Sequence, residues 1–161
     1  MANVVCEISV TQRPLTPPES DVAGAGAVVD FWGVVRPIED KRKIEGIDYE
    51  THREMAEHQL KRIAQRATDT FQLQLVIMYH RIGFIAVGEA SLFLRVASMH
   101  REQAFRASQW IIDELKTKVP IWKKPKFNQN VVAGIGDFSS HGNQSKRSAE
   151  RPVSAIPAPP K

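Results

Sequence analysis

Two stretches of helical apolar spacing, set among β-branched runs, limit what this chain can fold into. In the first, Met55, Ala56, Leu60, Ile63, Ala64, Ala67 and Phe71 recur at three- and four-residue intervals, which predicts an amphipathic helix over about 52–70. Thr51 and Glu54 match a capping box in front of it, with Thr51 as N-cap. In the second, Ala104, Phe105, Ser108, Ile111, Ile112 and Leu115 form the stripe, with Ser98 as the expected cap. Pro120 ends that helix near Lys118, because the residue before a proline resists the α conformation.

The runs around them read as strands. Residues 3–10 and 27–35 are rich in valine, isoleucine and aromatics. Gly33 inside the second run marks a bulge or a close backbone approach, and Pro37 ends it. Residues 44–50, 72–79 and 91–97 alternate or are β-branched and complete the set, with 37–43 expected as a mobile loop and 83–88 as a turn. The order is three strands, a helix, two strands, a helix and a short terminal segment. Without strict βαβ alternation, that order predicts an α+β fold: two main helices packed on a mixed, largely antiparallel sheet.

Composition narrows the class. The 161 residues are 42% hydrophobic and 25% charged, ordinary values for a globular chain. No apolar run reaches the roughly 18 residues of a membrane span. The first residues lack the basic-then-apolar pattern of a secretory leader, so a cytoplasmic location is expected. Cys6 is the single cysteine; it cannot form an internal disulfide or supply a cysteine-rich metal site, and it is expected as an inert thiol in the core of the first strand. The histidines lack metal-ligand spacing, so no metal is expected. The net charge of +4 divides unevenly: residues 125–161 carry +3 and the rest +1. From about 128 on, Gly, Ser, Asn and Pro dominate, so residues 1–127 are read as the working domain and 128–161 as a flexible Gly/Ser/Pro-rich tail. A nearly neutral body argues against a nucleic-acid-binding module, one alternative class; a non-catalytic scaffold is another.

Three segments could carry chemistry. His100 and Arg101 stand at the start of the second helix, where unpaired N–H groups and the helix dipole disfavour positive charge. A bound anion would reverse that penalty; two side chains turned to solvent or to a carboxylate would also satisfy it. Lys116 and Lys118 at the helix end, and Lys123 and Lys124 beside Trp122, either complement the helix dipole and guard an edge strand or share one cationic pocket. Arg36, after Gly33 at a strand end, can fork onto a phosphate or a carboxylate, or hold a structural ion pair.

These residues form an ordered pattern: Phe31, Gly33, Val35 and Arg36; Tyr49 and Glu50 leading to Met55 and Ala56; His80, Arg81, Ile82 and Gly83; His100, Arg101, Ala104 and Phe105; then Asp113, Leu115, Lys116, Pro120, Trp122, Lys123 and Lys124. Over roughly residues 1–124 the sequence resembles the large, catalytic subunit of molybdopterin synthase. The resemblance implies an αβ-hammerhead-like fold and a sulfur transferase of molybdenum cofactor biosynthesis. It implies a central homodimer within a heterotetramer, each copy binding a small ubiquitin-like sulfur-carrier subunit. The C-terminal thiocarboxylate of that partner supplies sulfur to cyclic pyranopterin monophosphate, so no further cofactor is expected. Two such transfers create the dithiolene of molybdopterin. On this resemblance Lys116 and Lys123 are the catalytic lysines. Val34, Val35, Arg36, His100, Arg101, Lys124 and Pro125 join them in substrate binding. Pro125 stands where the family usually has glutamate, and the segment from Asn128 onward replaces its usual ending.

A helix of this length adds a constraint. At ~1.5 Å per residue, His100 and Lys116 are roughly 24 Å apart along it. If both serve one substrate, they are expected to come from two different copies of the chain.

Overall fold

The β-branched runs assemble into two sheets in the computed structural model, which describes residues 5–20 and 22–129. The elements in chain order are β1 (Val5–Thr11), β2 (Ala27–Val34), β3 (Ile38–Glu39), β4 (Arg42–Thr51), α1 (Arg53–Phe71), β5 (Leu75–Arg81), β6 (Gly83–Ala86), β7 (Ala90–Ser98), α2 (Arg101–Lys118) and β8 (Ile121–Phe127). The first sheet has the order β1-β5-β7-β2; β1 runs parallel to β5 and the other pairs are antiparallel. In the second sheet β4 pairs with β3, β6 and β8, all antiparallel. The α+β expectation holds, with the antiparallel content divided between two sheets.

Strand alternation builds the main core. Val76 and Met78 of β5, with Leu92, Leu94 and Val96 of β7, meet Leu60, Ile63, Ala64 and Ala67 of α1 and Ala104, Ala107 and Ile111 of α2. Leu75, Ile77, Phe93 and Ala97 point the other way, where Leu15, Val22 and Ala25 cover them. β5 is thus buried on both faces. A smaller cluster of Val35, Ile44, Ile47, Tyr49 and Ile85 centres the second sheet. Gly46 lets its strands approach, since a Cβ there would lie 2.4 Å from the Ile85 carbonyl oxygen. The expected irregularity at Gly33 is present as a register shift between Gly33 and Val34.

Several local expectations are corrected. Residues 37–43 form a tight hairpin, in which Asp40 and Lys41 both take positive φ, as a two-residue hairpin loop requires. Residues 83–86, expected within a turn, are strand β6, and the terminal segment is strand β8, running along β4. Thr51 stays in β4 and its hydroxyl donates to the Pro120 carbonyl at 2.6 Å; the α1 N-cap is His52, with no side-chain cap bond. Ser98 likewise donates to the His100 carbonyl at 2.7 Å, and His100 is the α2 N-cap. Phe105 is 62% exposed, because the buried stripe follows Ala104, Ala107, Ser108, Ile111 and Leu115. Cys6 is exposed rather than a core thiol. Of the predicted tail only residues 128 and 129 are described; 130–161 lie outside the described residues.

Candidate functional site

The C-terminal end of α2 and the start of β8 enclose a cavity of about 340 Å³, lined by Tyr49, His80, Leu115, Lys116, Val119, Ile121 and Lys123. Three elements bring the two lysines to it. Leu115 and Val119 are buried and seat the last turn of α2 on the main core, so Lys116 projects from a fixed helix end. The Thr51 hydroxyl then ties the Pro120 carbonyl to β4, which fixes the turn into β8. In the β4–β8 ladder Lys123 lies directly opposite Tyr49, and directly opposed residues share a face. Tyr49 is buried, so Lys123 takes the inward side.

The neighbouring cations are drawn elsewhere. Lys118 reaches Glu114 at 2.5 Å, and Arg66 reaches the same carboxylate at 2.9 Å; the Lys118 hydrogen bond holds Glu114 below the usual carboxylate range. Lys124 is opposite Asp48, on the face away from Lys123, and its Nζ lies 2.7 Å from both Glu50 carboxylate oxygens. Pro125 is half-buried opposite Ile47. Four lysines close in sequence are thus sorted by helix and strand geometry, and Lys116 and Lys123 line the cavity.

His80 forms part of the cavity wall and is 5% exposed. Its Nδ1 lies 2.8 Å from the Arg81 carbonyl oxygen, which can only accept, so Nδ1 carries the proton. Burial pushes the His80 pKa down to about 4; the Arg81 contact opposes this and the nearby Lys123 charge adds to it. The Tyr49 ring packs edge-on against the imidazole, centroids 5.5 Å apart. Burial raises the Tyr49 pKa, while a hydrogen bond with Ser91 partly offsets the rise. Sequence reasoning had not placed His80 or Tyr49 beside the lysines. The available signal was the inward row Val76, Met78, His80, which puts an imidazole where a third apolar side chain would be expected.

The other candidate residues lie apart from this cavity. His100 and Arg101 are exposed at the opposite end of α2, and among the described residues neither belongs to an ion pair. Because α2 is continuous from Arg101 to Lys118, His100 and Lys116 are roughly 24 Å apart at ~1.5 Å per residue. Arg36 is 79% exposed, 3.7 Å from Glu39. Val34 is exposed, whereas the Val35 side chain is buried. The Val35 N–H donates to the Glu89 carbonyl, and its own carbonyl accepts from the Gly88 N–H. Among the described residues no cluster of histidine, cysteine and carboxylates could hold a metal ion, and no helix is long and apolar enough to cross a membrane.

Comparison with known proteins gives this geometry a context. A family model described as MoaE protein matches residues 9–118. The molybdopterin synthase catalytic subunit of Pyrococcus abyssi is 40% identical over 122 residues, covering 76% of this chain and 78% of that protein. The crystal structure of molybdopterin synthase from Staphylococcus aureus is similar with a TM-score of 0.70 and 29% identity, covering 75% of this chain and 91% of that one. A complex of subunits 1 and 2 of molybdopterin-converting factor from Helicobacter pylori shares the fold, with a TM-score of 0.57 and 20% identity over 79% of this chain and 92% of that one.

Proposed function

The chain belongs to the MoaE family, the catalytic subunits of molybdopterin synthase, and on that premise we propose that it transfers sulfur to cyclic pyranopterin monophosphate to make molybdopterin. The sulfur donor in this reading is the C-terminal thiocarboxylate of a small ubiquitin-like subunit, and no other cofactor is required. The single observation that carries the reading is the cavity at the end of α2, which holds Lys116 and Lys123 against a buried wall.

The chemistry explains why two cations belong there. A thiocarboxylate and a phosphate-bearing pterin are both anions, and bringing them together in a partly dry site requires fixed positive charge. Lys116, on the seated helix end, stabilises charge that develops as sulfur attacks. Lys123, opposite Tyr49 in the ladder, orients the thiocarboxylate or the departing phosphate oxygen. His100 and Arg101 offer N–H donors and a guanidinium fork to the substrate phosphate at a helix N-terminus. The length of α2 keeps them from reaching the lysine cavity of their own chain, so the site takes them from a second copy. Arg36, Val34, Lys124 and Pro125 also lie outside the cavity and would meet the substrate at the same junction between copies. A cytoplasmic homodimer carrying two small subunits follows from this reading.

The test is reconstitution with a thiocarboxylated small subunit and the cyclic pterin. Formation of molybdopterin with the wild-type chain, and none with Lys116→Ala, supports the assignment. Equal product from both chains contradicts it.

A further inference from the structure

The wall histidine has no role in the chemistry above, yet its surroundings leave it one. β5 sends Val76 and Met78 into the main core, and His80 is the next residue of that row. An imidazole at such a place is costly unless both ring nitrogens are provided for. Nδ1 is, by the Arg81 carbonyl. That bond fixes the tautomer and makes Nε2 of the neutral ring an acceptor. The groups lining the cavity that can donate are the Tyr49 hydroxyl and the two ammonium groups. Tyr49 meets the imidazole ring against ring, with centroids 5.5 Å apart. Of the two lysines, Lys123 hangs from the position opposite Tyr49, whose ring packs on His80.

We infer that His80 is a positioning residue for sulfur transfer, its neutral ring accepting a hydrogen bond at Nε2 from the Lys123 ammonium and holding that charge over the cavity. The inference rests on the proposed role of the lysine cavity and extends it to a residue in its wall. A neutral acceptor suits the place because it fixes a cation without offsetting its charge, as a carboxylate would. The ionisable groups that line the cavity with His80 are Lys116, Lys123 and Tyr49, with Arg81 next in sequence but turned to Glu89 at 2.8 Å.

The experiment compares His80→Phe, which keeps a flat ring without an acceptor, with His80→Gln, which keeps an acceptor, in the complete complex with the thiocarboxylated subunit. Misplacing a reacting group by about 1 Å can cost about 100-fold, so His80→Phe is expected to lower kcat by about 10- to 100-fold with the pterin KM within about twofold. His80→Gln is expected to recover most of that loss. A second readout needs no turnover: in the wild-type chain the His80 ¹⁵N shifts should report a protonated Nδ1 and an unprotonated, hydrogen-bonded Nε2, and Lys123→Ala should move the Nε2 signal. Wild-type kcat in His80→Phe, or an Nε2 shift indifferent to Lys123→Ala, overturns the inference. If Lys116→Ala and Lys123→Ala also keep full activity, the reading of the cavity itself fails; if those two are inactive and His80→Phe is not, the positioning role alone fails.

Discussion

The two ends of α2 carry the chain's most suggestive cations in opposite physical settings. At the C-terminal end Lys116 stands beside a cavity, on a turn seated by Leu115 and Val119, with Lys123 delivered by the neighbouring strand. At the N-terminal end His100 and Arg101 are exposed, and the helix begins without a side-chain cap. One end is a walled half-site and the other is an open set of donors. On the function proposed here, the difference means that a single copy holds two unlike pieces of a site, kept apart by the length of α2.

Substitutions at the two ends should therefore fail in different ways. The largest effect belongs to the walled end: Lys116→Ala is expected to lower turnover on the order of 1,000-fold, the scale of losing a group that stabilises developing charge. Its folding stability should stay within about 0.5 kcal/mol, as for other exposed positions, and steady-state kinetics with urea unfolding checks both. Next comes the wall itself. His80 has a pKa near 4 in the fold against 6.5 as the ordinary value, chiefly because it is buried. As pH falls below 6.5 the unfolded chain takes up the proton first, so stability declines from about pH 6.5 to about pH 4, by up to about 3 kcal/mol. Urea unfolding at several pH values should show this slope in the wild-type chain and a shallower one in His80→Phe.

The open end should show binding effects. Arg101→Ala is expected to raise the pterin KM about 10-fold, the scale of a lost charge-assisted hydrogen bond, with kcat little changed. A fall in kcat at constant KM would contradict an anion anchor. The smallest effect is expected at Lys124→Ala. Its partner Glu50 is exposed and it faces away from Lys123, so kcat should stay within about twofold, and its proposed contact with substrate should show only as a pterin KM raised less than in Arg101→Ala. A Lys124→Ala loss as large as that of Lys123→Ala would show that both faces of β8 serve the reaction.

Much of this division is legible in the residues. Apolar spacing located both helices, because their buried stripes lie on one side and the rest is polar. Pro120 located the end of α2, and with it the place of Lys116. Tertiary demand overrode the local signals elsewhere. Thr51 and Ser98 have the chemistry of helix caps, but the Pro120 and His100 carbonyls are nearer claimants for their hydroxyls. Phe105 has the hydrophobicity of a core residue, but it lies off the stripe on which Ala107 is buried. The short strand β6, bounded by Gly83 and Gly88 at positive φ, leaves little periodicity to read. Sequence also groups Lys123 with Lys124; strand alternation turns them to opposite faces, and the β4 register shows that Lys123 is the inward one. His80 was not foreseen because its ring contact with Tyr49 of β4 and its place in the cavity wall beside the end of α2 are long-range facts.

Mixing two defective chains tests most directly whether the walled and open pieces meet across copies. Lys116→Ala and Arg101→Ala chains would be co-expressed with different tags and assayed with the thiocarboxylated subunit, at pterin concentrations well below the wild-type KM. Random pairing makes half the dimers mixed, and each mixed dimer has one intact composite site, so activity should return to about a quarter of wild type. A mixture no more active than the average of its two defective parents would contradict the account.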